Sequence, residues 1–160
     1  MITVCRVLLL IAFSVFWGGL TFYTGIVVRI AHDVLTDSMV GGLITQRVTH
    51  WLQIAGGVTA VLMLWNAALV MKVSRKYGFT LVACSLVLVC SLVGLVIVHG
   101  HLDAVIDMDA VEITDRDAFT IGHRRYNQLT TIEWISSLTY LMMTLAAWRH
   151  VDARPPMQQT

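Results

Sequence analysis

Charge is scarce in this sequence: Lys, Arg, Asp and Glu together make up 13% of the 160 residues, and the net charge is only +1 with histidine neutral. A surface hydrated on all sides needs more than that, so an ordinary soluble domain is not the first expectation. A nearly balanced chain also offers no basic field for phosphates, and nucleic acid is not expected as a partner. Cysteine occurs three times, at Cys5, Cys84 and Cys90, all in or beside apolar segments and none in a hydrophilic loop. Cys84 and Cys90 stand about 240° apart around a helix, so no disulfide is expected. Strict metal motifs such as H-E-x-x-H and C-x-x-C are missing. The two prolines, Pro155 and Pro156, fall in a tail from Ala153 to Thr160 that reads as frayed.

What the chain has instead is apolar length, with 57% hydrophobic residues. Four stretches lack Lys, Arg and Asp: 7–28, 48–71, 77–98 and 126–148. As helices each reaches about 33 to 36 Å, against a hydrocarbon core of about 30 Å. Backbone groups in lipid must be satisfied within the segment, and these runs lack the alternation of barrel strands. The expected fold is therefore all-α: a single transmembrane domain over 1–160, an integral membrane four-helix bundle running up-down-up-down, with outer loops 29–47 and 99–125. Arg6 before an apolar run could mark a signal peptide, but the run is long and has no clear A-x-A site, so it reads as an anchored helix.

Orientation follows from Lys and Arg near the helix ends. Arg6, Lys72, Arg75, Lys76, Arg149 and Arg154 fall on one side; Arg29, Arg47, Arg116, Arg124 and Arg125 fall on the other, among eight carboxylates. The termini and the tight 2–3 turn are expected to be cytoplasmic, and a bacterial inner membrane is the expected location. The lipid bilayer is the first partner. Thr114 with Asp117 has the form of a capping box that starts helix 4 above the membrane; Thr36 or Asp37 could start helix 2 early, and Gly100 is a natural stop for helix 3. Gly18 and Gly25 on helix 1, with Gly56 and Gly57 on helix 2, permit close helix approach.

Threading the helices collects five of the six histidines on the outer side: His32, His50, His99, His101 and His123. A bundle can aim such residues at one point. His50, His99 and His123 are the candidate cofactor ligands, with haem held axially by His50 or His99 opposite His123. For a transition metal (Cu, Zn or Fe) the candidates are His50, His99, His101, His123 and Asp103, with Asp33, Asp107 and Asp109 as further carboxylates. The bland alternative is that imidazoles simply suit a membrane interface. His150, at the other end, is expected only to complement the helix dipole.

Helix 4 carries a semi-polar stripe: His123, Tyr126, Asn127, Thr130, Glu133, Trp134 and Ser137 recur at three and four. Glu133 is the one formal charge inside any span, about 10 Å below its start. An acid there is costly to leave ionised and unpaired, which suggests a protonated donor, a proton relay, a partner for Arg124 or Arg47, or structural glue. Gln46, His50, Gln53 and Gly57 give helix 2 a matching polar face. The five tryptophans fit interfacial anchoring and core filling.

The string Phe16-Trp17-Gly18-Gly19-Leu20-Thr21-Phe22-Tyr23, with the stretch from His123 to Trp134, resembles small four-helix membrane proteins of the transmembrane protein 205-like kind. The Trp-Gly-Gly opening is also similar to that of copper-resistance membrane proteins, though this chain has no Met-rich or Cys-rich run. The resemblance covers the helix layout and two short strings, and implies no established activity. Three expectations for function follow: an outer metal or haem site for redox or metal handling; a non-catalytic subunit or assembly factor docking a partner through 103–117; and a small proton-coupled carrier using Glu133.

Overall fold

The computed structural model describes residues 2–35, 38–107 and 112–153, the side chains of His32, of 38–43 and of Thr45 excepted. Thr36, Asp37, Asp109 and Arg154 lie outside the described residues. The described residues are all-helical apart from one small hairpin. Helix α1 (Ile2–Phe22) passes through a π-helical turn (Tyr23–Val27) into α2 (Val28–Val34). Helices α3 (Ser38–Met71) and α4 (Arg75–Asp103) follow, then strands β1 (Ile106–Asp107) and β2 (Glu112–Ile113), and finally α5 (Arg116–Asp152).

The helices run well beyond the apolar spans, so most of the two expected outer loops is helix. Gly100 does not end α4, which continues to Asp103 because Ala104 stays right-handed and its N–H bonds back to Gly100 O. The cap of α5 is Asp115, whose Oδ1 accepts from the N–H groups of Asp117 and Ala118. Thr114 is unavailable for that role. Its N–H and hydroxyl both donate to Val105 O, closing the hairpin in which Ile106 pairs with Ile113.

Among the described residues three helical segments are long and apolar enough to cross a membrane: Ile2–Ala31, Gln46–Met71 and Arg75–Asp103. Only 22%, 39% and 28% of their most apolar windows are buried, so these segments turn most of their apolar surface outward. In water such a surface would aggregate; in a bilayer it meets lipid tails. Helix α5 has the length but falls outside that set, because Asn127, Gln128, Glu133 and a run of hydroxyl residues dilute its apolar character.

Chain neighbours pack on one another, α1 on α3, α3 on α4 and α4 on α5. The α3–α4 turn is so tight that a Cβ on Gly78 would stand 2.6 Å from Met71 Cα, which only glycine avoids. Gly56 admits Phe16 and Leu92, whereas Gly18, Gly25 and Gly57 have open space beside them and bring no helices together. Between them the helices bury Leu9, Phe16, Met63, Leu81, Leu88 and Tyr140. The backbones of α1 and α5 come close over little of their length. Side chains bridge that seam: Arg6 donates twice to Asp152 at 2.8 Å, and Trp17 stacks on Trp134 at 5.4 Å. Trp17 Nε1 donates to Trp134 O, and Trp134 Nε1 to Thr21 Oγ1. Farther along, Tyr140 donates to Met63 O and accepts from Asn66 Nδ2, while Asn66 Oδ1 accepts from Trp148 Nε1.

Candidate functional site

Near the Asp103 end of α4 the helices part around a chamber of about 600 Å³. Its wall is chiefly apolar, with Phe16, Leu20, Val28, Leu52, Leu95 and Leu102 among the contributors. Most of the polar residues arrive from three helices. Helix α3 supplies Gln46, Thr49 and Gln53; α4 supplies His99 and Asp103; α5 supplies His123, Tyr126, Asn127, Thr130 and Glu133. On α5 these residues recur at three and four, so one face of a continuous helix runs down the chamber, and His123 to Glu133 covers about 15 Å of depth.

Each element is held in place by bonds already described or by local ones. Gln46 Nε2 donates to Asp103 Oδ1 at 2.7 Å, tying α3 to α4 at the mouth. His99 Nε2 lies 3.9 Å from the same oxygen, and its ring sits 6.3 Å from that of Tyr126. His123 stacks on Phe119 at 6.0 Å. The hairpin turns Ile106 and Ile113 onto the chamber, so an apolar roof is built from the segment expected to dock a partner. Asp107 and Glu112 are exposed.

The α1 side of the wall passes through the π-helical turn. One extra residue in a turn shifts the phase of everything after it, and here Tyr23, Thr24 and Val28 all reach the chamber. No signal in the sequence marks that turn. Tyr23, Thr49, Phe119 and the hairpin isoleucines were likewise missed, the isoleucines because their placement depends on the pairing of β1 with β2.

Other expected ligands stand elsewhere. His50 is exposed beside Trp51 and does not line the chamber, because Gln46, Thr49 and Gln53 take the inward face and His50 follows Thr49 by about 100°. His101 is exposed off the wall, as are Asp33, Arg47 and Arg124, so neither arginine reaches Glu133. His150 is exposed at the far end of α5, against Tyr77 at 5.4 Å. Among the described residues no three His, Cys, Asp or Glu side chains gather closely enough to hold a metal ion.

Glu133 is the deepest polar group on the wall, only 2% exposed. Its Oε1 has no hydrogen-bond partner, and neither has Nε2 of Gln53, a residue that also lines the chamber. Buried polar atoms are nearly always paired. Among the described residues Arg6, Ser137 and Thr144 also carry such an unpaired atom; Glu133 and Gln53 are the two that line the chamber. Comparison with protein-family models, curated proteins and solved structures finds no match.

Proposed function

We propose that this chain is a multi-pass protein of a bacterial inner membrane that holds a small amphiphilic organic molecule in the chamber. In this reading α5 is a fourth crossing that completes an up-down-up-down bundle. Both termini lie in the cytoplasm, and the chamber opens toward the outer face. The supporting observation is a largely apolar cavity of about 600 Å³ with unsatisfied atoms on Glu133 and Gln53. Pockets for small ligands run from about 300 to 1,000 Å³, with apolar walls and a few convergent polar groups.

The histidines then belong to the mouth: His99 and His123 stand on adjacent helices at its edge. Haem bound through one or both of them is the redox form of the proposal, and it needs no three-residue cluster.

The test is to purify the full chain in a neutral detergent, extract it with organic solvent and identify what leaves by mass spectrometry, with an absorption spectrum and metal analysis before extraction. A stoichiometric small molecule is expected, and a Soret band lost in the variants His99→Ala or His123→Ala would identify it as haem. Recovery of an empty chain that binds no amphiphile when challenged would overturn the proposal.

A further inference from the structure

We infer that the occupant of the chamber is a lipophilic organic cation, whose charge is met by the Glu133 carboxylate. The inference rests on the proposed chamber and names the class of molecule it takes.

The first argument is the sign of charge. The formal charges on the described wall are the carboxyls of Glu133 and Asp103, and no Lys or Arg lies among them. Asp103 accepts from Gln46, whereas Glu133 retains an unpartnered oxygen at depth. A carboxylate- or phosphate-bearing guest would meet the Asp103 carboxylate and find no Lys or Arg on the wall to receive it, and the same holds for the propionates of a haem. A guest with positive charge supplies the missing partner, and pairing offsets part of the cost of a buried carboxylate.

The second argument is the kind of wall. Phe16, Tyr23, Phe119 and Tyr126 all line the chamber. Aromatic faces attract cations, most strongly where water is excluded, and they accept bulky apolar substituents. A hydrated metal ion finds no cluster of three ligands among the described residues. Flat aromatic amines and quaternary phosphonium or ammonium ions match both features.

A consequence follows for protons. With the chamber empty, Glu133 is neutral only while it holds a proton. When the cation docks, the O–H bond breaks, the carboxylate pairs with the cation and one proton leaves to water. Proton and cation therefore compete for one carboxyl. The other titratable groups facing the chamber are Tyr23, Tyr126, His99, His123 and Asp103; α3 presents only uncharged Gln46, Thr49 and Gln53.

Titration of the purified full chain with tetraphenylphosphonium, and in parallel with uncharged triphenylphosphine oxide, tests this. The wild type is expected to bind the phosphonium more weakly as pH falls from about 8 to 5 and to release a proton on binding, read from the buffer dependence of the heat. Glu133→Gln should weaken phosphonium binding by about tenfold or more, remove the proton release and leave the oxide's affinity within about twofold. Glu112→Gln, a charge loss outside the wall, should behave as the wild type. Phosphonium binding that survives Glu133→Gln, or that ignores pH, would overturn the inference. Binding of the oxide alone would overturn it while leaving the chamber proposal standing; binding of neither probe would overturn both.

Discussion

Two kinds of buried polar residue serve different ends in this molecule. Tyr140 and Asn66 are fully engaged, with Met63 O and Trp148 completing the set. Glu133 and Gln53 each keep an atom without a partner. The first kind fixes helix positions, because breaking it leaves buried groups unpaired. Tyr140→Phe removes the acceptor of Asn66 Nδ2 and should cost about 1 to 3 kcal/mol, measured as unfolding in detergent; an unchanged stability would show that the network contributes nothing net. The ends of the chain offer a pH-dependent counterpart. Arg6 holds the exposed Asp152 carboxyl below its ordinary range through two hydrogen bonds. A depressed carboxyl stabilises the fold above its unfolded value of about 3.9 and loses that contribution as pH falls through the folded value. The melting temperatures of the wild type and Asp152→Asn should therefore differ at pH 6 and converge in strong acid.

At the scale of elements, local rules account for starts and stops and tertiary contact for phase. The apolar spans imply helices at the observed places, but their ends moved outward. Asp115 took the cap because Thr114 was committed to Val105. The periodicity of three and four on α5 is legible in the residues themselves, and the same face runs down the chamber. The face of α3 is less legible: Gln46 and Gln53 point in, yet His50, at the same helical spacing, does not. A stripe defined by three residues can be rotated by one position without losing its pattern. Asp115→Ala should cost about 1 kcal/mol of local stability and speed amide exchange over 116–119 by roughly fivefold. Exchange at the wild-type rate would mean that the hairpin, rather than the cap, holds that end.

For the whole molecule, the three apolar segments can face lipid with most of their surface, and α5 cannot. The lower part of its polar face, Glu133, Ser137, Tyr140 and Thr144, is buried, with α4 packed along the helix and the Trp17–Trp134 and Arg6–Asp152 contacts on the α1 side. If it crosses the membrane, it does so as part of the assembly. Single cysteines in a background free of Cys5, Cys84 and Cys90 test this: Glu112→Cys should react with an impermeant maleimide from outside intact cells, and Ser74→Cys only after lysis. Labelling of both from one side would end the four-crossing arrangement.

The sequence by itself determined that the chain is helical, that apolar segments of membrane-crossing length recur along it and that its last helix carries a polar stripe, since each follows from apolar length and from a period set by backbone geometry. Which histidines edge the chamber, that a hairpin roofs it and that a π-helical turn brings Tyr23 to its wall were decided only in three dimensions. Those outcomes depend on helix rotation and on contacts between distant segments, and a rotation of 100°, one residue's worth, is enough to move an imidazole from the wall to the surface.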